Sequence, residues 1–355
     1  MPKAVHRNAT PVRVVFGPDL SGRPAYDKGM ISLTDSSVAR GITLVCIGVF
    51  AISVNDLLIK ALSGGYPLHQ IVFTRTAIGI FLSFLMLHLE GGLSLLRTSQ
   101  PGLHVLRGLT LVAANMTFFA SLAVLPLGLT TALFYVGPLF ITLFSFLFLR
   151  EKVGPLRLGA IVFGFMGVLV MQEPWRSGSE YGPAWLYALP VIAAALYASM
   201  AVMTRALGVK STASALTIYN QLMFLVVSSL FYLIVGEGQA DPGPDSPSLH
   251  FLLRAWTWPT AEDWPLFILT GICNGIVAYC ITAAYRMAPS ASIAPFEYIG
   301  LPLAIFWGWM IWGDLPDLVS GAGIALILGS GLFVFLREQQ KKRNVIRNQP
   351  IHRRY

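Results

Sequence analysis

The sequence predicts an all-α integral membrane protein in which ten transmembrane helices form two five-helix inverted-topology repeats. Two observations lead to this fold class. Hydrophobic residues make up 55% of the chain and charged residues only 12%, about half the charged fraction of a soluble domain. In addition, two apolar stretches far apart in the chain share a motif at a constant offset.

Ten stretches are apolar enough to cross a bilayer core, which needs roughly 20 helical residues. Pro and Gly mark the connections between them, as at Gly64-Gly65, Pro101-Gly102 and Pro126. The stretches are 40–62, 69–88, 103–124, 128–148, 155–172, 185–207, 213–236, 263–285, 289–311 and 317–336.

These stretches divide the chain into a first repeat, 40–172, and a second repeat, 185–336. Residues 1–39 are polar and lack the apolar core of a signal peptide, so they predict a disordered cytoplasmic tail. Residues 337–355 form a second, basic tail on the same side of the membrane.

The distribution of basic residues predicts the orientation. Counting both tails and alternate connections, with Arg97 and Arg107 assigned to the connection before the third stretch, one side carries 21 of the 25 Lys and Arg residues. The other side is mainly acidic. Such a bias places that side, and both termini, in the cytoplasm. The same distribution argues against nucleic-acid binding, because the net charge of +8 is spread over tails and connections rather than one patch.

The motif that defines the repeat runs through the fourth and ninth stretches at an offset of 163 residues. The first copy is PLGLTTALFYVGPLFITLFSFLFLRE and the second is PSASIAPFEYIGLPLAIFWGWMIWGD, so Pro126, Tyr135 and Gly137 meet Pro289, Tyr298 and Gly300. Lys60-Ala61-Leu62 at the end of the first stretch likewise matches Arg205-Ala206-Leu207 at the end of the sixth. Because each repeat has five helices, an odd number, the second must cross the membrane in the opposite sense.

Together with Phe148-Leu149-Arg150-Glu151-Lys152 and Ala294-Pro295-Phe296-Glu297, this arrangement resembles the EamA-type carriers of the drug/metabolite transporter superfamily. The resemblance covers residues 38–338. It implies two inverted bundles around a central cavity that works by alternating access, with amino acids, cofactors such as riboflavin or S-adenosylmethionine, or drugs as substrates. One departure is Trp312-Gly313-Asp314, where the family commonly has Gly-Glu.

Four ionisable residues lie well within predicted spans rather than at their ends: Asp56, Lys60, Arg75 and Glu297. A charge at the bilayer centre costs roughly 2.5–3.5 kcal/mol or more, so each needs a partner or a water-filled cavity. Asp56 and Arg75 are predicted at similar depths in adjacent helices, and we expect Asp56 to pair with Arg75 or Lys60. Such a pair would either lock two helices together or contact substrate, while Lys60 could instead extend to the interface.

Glu297 is the strongest candidate for coupling. It lies about two and a half turns into the ninth stretch and has no cation beside it in the sequence. A carboxyl in a low-dielectric span takes up a proton more readily than in water. It could therefore couple transport to protons, neutralise a cationic substrate, or simply bond a neighbouring helix.

Uncharged polar and aromatic residues complete the predicted site. The repeat-matched Tyr135 and Tyr298 are expected at the pseudo-twofold axis, where their rings could stack on a planar substrate. Buried amides either line a cavity or bridge helices; the candidates are Asn55, Asn115, Asn220, Gln221 and Asn274.

Small residues on the fifth and tenth stretches predict close helix packing within the scaffold or across a homodimer face. They are Ala160, Gly164 and Gly167, and Ala325 and Gly329. The partners expected are therefore a small-molecule substrate, membrane lipid and a second copy of the chain.

Enzymatic chemistry has little support in the sequence. Histidines occur singly, without a second ligand at metal spacing, and no Gly-rich phosphate loop precedes a Lys. No cofactor or metal is expected. The favoured function is a secondary active transporter of a small organic metabolite in the inner membrane, with substrate or coupling roles for the eight residues Asp56, Lys60, Arg75, Asn115, Tyr135, Asn274, Glu297 and Tyr298. The alternatives are an embedded enzyme acting on a lipid-linked substrate and a non-transporting membrane subunit.

Overall fold

The computed structural model describes residues 28–98, 100–150, 154–172, 185–206, 213–287 and 296–347. Those residues form helices and connections, with no strand among them. The α-helices are α1 (Lys28–Leu62), α2 (Leu68–Glu90), α3 (Pro101–Leu122), α4 (Leu127–Phe134), α5 (Gly137–Leu149), α6 (Pro155–Gln172), α7 (Trp185–Ala206), α8 (Ala213–Val235), α9 (Pro247–Leu253), α10 (Trp264–Met287), α11 (Gly300–Trp312) and α12 (Leu318–Arg347).

The apolar segments agree closely with the predicted spans. Eight segments in the described part of the chain have the length and hydropathy of a membrane span, and two shorter apolar helices, Leu158–Met171 and Gly300–Trp312, occupy the fifth and ninth positions. Hydropathy alone therefore located the eight candidate spans and the two shorter apolar helices.

Three differences from the sequence prediction concern the tails and one connection. Helix α1 begins at Lys28, so residues 28–39 are helical rather than part of a disordered tail, and α12 continues to Arg347. A helix propagates readily beyond its apolar part once it has nucleated. The connection 237–262 also contains α9. Predictions for 1–27, for Glu151, for 289–295 and for 348–355 fall outside the described residues.

The fourth and ninth segments are interrupted at matched positions. Tyr135 and Val136 separate α4 from α5, and Tyr298 and Ile299 form a turn directly before α11. The interruptions have a local cause, because Pro138 and Pro302 lack the N–H that would bond to the carbonyl four residues earlier. Each interruption thus lies at the tyrosine that the repeat matches.

The two halves of the chain are interleaved. Eight segments form a closed ring in the order α1, α10, α2, α8, α3, α7, α4–α5, α11 and back to α1, and each packs on the next. Neighbours in this ring always come from different halves. Helices α6 and α12 pack against each other beside α4 and α5.

One end of the bundle carries a folded cap, which we define as residues 236–263 including α9. Gln70 Nε2 donates to the Thr257 carbonyl at 2.6 Å, and Gln70 Oε1 accepts from Thr257 N. Arg254 donates to the carbonyls of Ser63 and Gly64 at 2.8 and 2.9 Å. These bonds fasten the cap of the second half to the α1–α2 turn of the first.

Aspartates of the cap are stabilised in their ionised form. Tyr66 and Thr260 donate to Asp263 Oδ2 and lower the pKa of that carboxyl. The His250 Nδ1 atom lies 2.8 Å from Asp241 Oδ1, and the Gly243 N–H donates to the same oxygen. Both interactions lower the pKa of Asp241. The cap is therefore most strongly held at neutral pH, and these contributions are lost on acidification.

The opposite, far end consists of the α2–α3 connection (91–100) and the first turns of α8. Ser214 Oγ donates to Glu90 Oε2 at 2.6 Å, and the Tyr219 hydroxyl donates to the Leu96 carbonyl. Each end of the bundle is thus closed by a connection from one half that bonds to a helix start in the other.

The small-residue prediction for α6 and α12 is confirmed in part. A Cβ on Gly167 would lie 2.8 Å from the Gly323 carbonyl oxygen, and one on Gly164 would lie 2.6 Å from Ser330 Oγ. Gly329, in contrast, faces open space. The contact on α12 therefore centres on Gly323, which is not among the small residues predicted to pack.

Gly167→Ala is expected to lower the melting temperature of the protein in detergent, because the added methyl overpacks a backbone contact and costs about 1–3 kcal/mol. Gly329→Ala is the matched control, for which we expect no loss, since alanine favours helix and meets no neighbour. Equal losses in the two variants would contradict backbone packing at Gly167.

Candidate functional site

A chain of polar side chains joins the first three helices near the cap end. Arg75 Nη2 donates to Asn115 Oδ1 at 2.7 Å, and Arg75 Nη1 lies 3.4 Å from Asn55 Oδ1. Asn55 Nδ2 in turn donates to Asp56 Oδ1 at 3.1 Å. Three residues selected from the sequence, Asp56, Arg75 and Asn115, are therefore brought together, with Asn55 as the link.

Arg75 is enclosed by apolar surroundings. Its side chain is only 5% exposed, and its guanidinium carbon lies 5.2 Å from the Phe119 ring centroid and 5.8 Å from that of Phe224. Aromatic faces favour a planar cation electrostatically. The nearby Asp56 supplies the opposite charge.

The predicted pairing of Asp56 therefore takes an indirect form. No oxygen of Asp56 lies within ion-pair distance of Arg75 or Lys60 in the described structure, because Asn55 stands between Asp56 and Arg75. Lys60 is instead engaged at the cap end, where Nζ donates to the Leu125 carbonyl at 2.6 Å and lies 5.1 Å from the Trp312 ring centroid. Lys60 is thus separate from the polar chain.

The two repeat-matched tyrosines meet at the helix interruptions. Their ring centroids are 5.3 Å apart and nearly parallel, with an interplanar angle of 27°. The Tyr135 hydroxyl donates to the Glu297 carbonyl at 2.6 Å. Gly300 makes this approach feasible, since a Cβ there would lie 2.6 Å from the same hydroxyl oxygen.

Glu297 lies among phenol groups. Its half-buried carboxyl interacts electrostatically with Tyr135, Tyr197 and Tyr298, and Tyr135 also interacts with Asp56. Tyr135 therefore lies within electrostatic range of the predicted acidic residues of both halves.

Aromatic rings extend from this centre toward Arg75. Phe134, the repeat mate of Glu297, lies 5.1 Å from Phe118 and 5.8 Å from Tyr197 between ring centroids. Phe118 packs edge-on against Phe119, which covers Arg75. A series of buried aromatic contacts therefore runs from Arg75 to Phe134, the residue before Tyr135.

Two further predicted amides lie on helix α10 and helix α8. Asn274 packs against α2, where a Cβ on Gly79 would lie 2.6 Å from Asn274 Nδ2. Gln221 is 5% exposed and its Oε1 has no hydrogen-bond partner within the described structure. Asn274 is thus placed at a helix contact, while Gln221 retains an unused acceptor.

Sequence reasoning missed a second buried arginine. Arg107 was assigned to a connection because it lies near the predicted start of the third span, but it lies inside α3 and is 4% exposed. Its Nη2 donates to Asn220 Oδ1 at 3.0 Å and to the Leu216 carbonyl at 3.3 Å. The signal was its position six residues after Pro101, a residue type that favours helix starts.

The chain is similar in sequence to known proteins. Residues 39–172 match the model of the EamA-like transporter family. A riboflavin transporter of Vibrio cholerae is 30% identical over 281 residues, covering 79% of this chain and 86% of the relative. An S-adenosylmethionine uptake transporter of Rickettsia bellii is 22% identical over 302 residues, covering 84% of this chain and 94% of the relative.

A solved structure described only as "Crystal structure of protein" has the same fold. It superposes with a TM-score of 0.57 over 86% of this chain and 98% of the other, at 18% sequence identity. The two sequence relatives cover about four-fifths of this chain and are named as transporters of riboflavin and of S-adenosylmethionine. The chain belongs to the EamA-like transporter family of the drug/metabolite transporter superfamily and is a small-metabolite transporter.

Proposed function

We propose that this chain is a secondary active transporter that moves a small planar metabolite across the bacterial inner membrane by alternating access. The observation that carries the proposal is the meeting of two interrupted helices at the stacked Tyr135 and Tyr298. Discontinuous helices of this kind supply binding groups at the midplane of many carriers, at the interface between inverted repeats.

The ten-helix inverted repeat is part of this proposal, and the packing pattern supports it. Exchanging each segment with its repeat mate converts the α1–α10 contact into α7–α3, α2–α10 into α8–α3, and α5–α7 into α11–α1. The contacts α2–α8, α4–α11 and α6–α12 each map onto themselves. A pseudo-twofold axis would generate this pattern.

Interleaving changes the expected motion. Rocking of one sequence half against the other would separate every neighbouring pair in the ring. We therefore propose that the moving units contain helices of both halves, and that the helix interruptions at Tyr135 and Tyr298 act as hinges. The cap would then open and close the periplasmic side, with both termini in the cytoplasm as the distribution of basic residues predicts.

The proposed substrate is a planar vitamin such as riboflavin, the molecule in the name of the Vibrio cholerae relative. Arg75, Asn55 and Asn115 would bond a polar ring edge, while Phe118, Phe119 and the tyrosine pair would contact the ring faces. S-adenosylmethionine is a second candidate, because the carboxyls of Asp56 and Glu297 would neutralise its sulfonium.

Uptake of labelled riboflavin into proteoliposomes containing the full chain tests this function. We expect saturable uptake that excess unlabelled riboflavin blocks and that S-adenosylmethionine blocks less well. Protein-free liposomes are the negative control. Liposomes containing the Gly329→Ala variant are the positive control, because this substitution faces open space. Labelled S-adenosylmethionine is tested in the same way, and uptake of both compounds no greater than in protein-free liposomes would favour the embedded enzyme or the non-transporting subunit.

A further inference from the structure

The second buried arginine, Arg107, lies in a different place from the proposed substrate site. It is six residues into α3 from the far end, about 9 Å along the helix, whereas Arg75 is seven residues into α2 from the cap end. The two guanidiniums are therefore near opposite ends of the bundle. Arg107 hydrogen-bonds to residues of α7 and α8, whereas Arg75 hydrogen-bonds to residues of α1 and α3.

Every partner of Arg107 is electrically neutral. Nη2 donates to Asn220 Oδ1 at 3.0 Å and to the Leu216 carbonyl at 3.3 Å. Nη1 reaches only the Met200 thioether, at 3.9 Å, and Nε has no partner within the described structure. A thioether is a weak acceptor, so two of the three guanidinium nitrogens lack a strong one.

Arg75 and Arg107 differ in whether a carboxylate lies nearby. Both side chains are at least nine-tenths buried and each is held by an asparagine. Arg75 has Asp56 nearby, but no carboxylate of the described residues lies within ion-pair distance of Arg107. A buried charge without a counter-charge is strongly unfavourable, and proteins normally pair it.

We propose that Arg107 is an oxyanion-binding site at the far end of the transporter, and that a carboxylate or phosphate group supplies its missing charge. The planar guanidinium fork matches both groups, and its unsatisfied nitrogens provide the donors. The ligand is either a free anion from the aqueous phase at that end or an acidic group on the transported molecule. The proposal for this site does not rest on riboflavin being the substrate.

Thermal unfolding of the full chain in lipid nanodiscs with inorganic phosphate tests the site. We expect phosphate, compared with sodium chloride of equal ionic strength, to raise the melting temperature along a saturable curve in the wild type. Arg107→Gln is expected to lose this saturable rise. Arg97→Gln removes an exposed arginine at the same end and is expected to keep it.

A second variant covers the case in which Arg107→Gln does not fold. Asn220→Ala removes one acceptor from the guanidinium, and we expect it to bind phosphate more tightly than the wild type, with half-saturation at lower concentration. An unchanged or weaker phosphate response in Asn220→Ala, or a wild-type response in folded Arg107→Gln, would overturn the proposal.

The source of the anion is distinguished by competition against labelled riboflavin uptake. If the oxyanion is carried by the transported molecule, riboflavin 5′-phosphate should inhibit the wild type more strongly than it inhibits Arg107→Gln. If it is a free anion, the phosphate ester and phosphate-free riboflavin should compete alike while inorganic phosphate still stabilises the protein. The thermal measurement is independent of riboflavin uptake, so failure of the proposed substrate leaves the anion site testable.

Discussion

Arg75→Gln is expected to lower the free energy of unfolding by about 3–5 kcal/mol, as for removal of one partner from a buried charged network, and to abolish metabolite uptake. The guanidinium donates to Asn55 and Asn115 and provides the positive charge near Asp56. Glutamine can replace one of these bonds but supplies no charge. Unfolding in mixed micelles and proteoliposome uptake measure the two effects.

A double-mutant cycle with Asp56→Asn separates the charge from the packing. Asp56→Asn keeps the shape of the side chain and its contact with Asn55, so its own loss should be the smaller. Because both charges are removed together, the double variant should be more stable than the sum of the single losses predicts, by about 1–3 kcal/mol. Strictly additive losses would mean that Asp56 and Arg75 do not interact through Asn55.

The way in which Asn55 links these residues explains why the sequence predicted the partners but not their geometry. Depth along a helix follows from counting residues at 1.5 Å each, so Asp56 and Arg75 could be matched in height. Their direction around the helix axis depends on packing against α10, which contacts both α1 and α2 and comes from a distant part of the chain. A difference of one position, from Asp56 to Asn55, decides which side chain reaches the guanidinium.

Hydropathy located the spans because the bilayer imposes a long uniform pattern on each. Hydropathy is averaged over a whole span and therefore conceals a two-residue interruption such as Tyr135-Val136. Local signs of the two interruptions were Gly137-Pro138 in the first half, and Gly300 and Pro302 in the second. The averaging also led to the assignment of Arg107 to a connection, since a charge near a predicted span end is normally solvated. The cap contacts of Arg254 and Gln70 had no periodic signal at all.

Glu297→Gln is expected to remove the stimulation of uptake by an imposed proton gradient while leaving exchange of substrate across the membrane intact. Glutamine has nearly the same shape as glutamate but cannot exchange a proton, so a carrier that needs protonation of this carboxyl loses its driving force and not its cavity. The measurement is riboflavin uptake with and without a pH gradient, beside counterflow in its absence. A gradient that stimulates the variant as much as the wild type would assign coupling elsewhere.

Tyr135→Phe distinguishes the role of the Glu297 carboxyl from the role of the neighbouring helix interruption. The Tyr135 hydroxyl bonds the Glu297 carbonyl, not its carboxyl, and the ring stacks on Tyr298. Phenylalanine keeps the stack but frees the carbonyl at the hinge, so we expect slower uptake in both assays with the proton dependence retained.

If Tyr135→Phe instead lost proton dependence as Glu297→Gln does, the phenol would belong to the proton path, consistent with its electrostatic contact with both Glu297 and Asp56. Glu297 would then act with Asp56 through Tyr135, joining the two halves of the chain in one coupling unit.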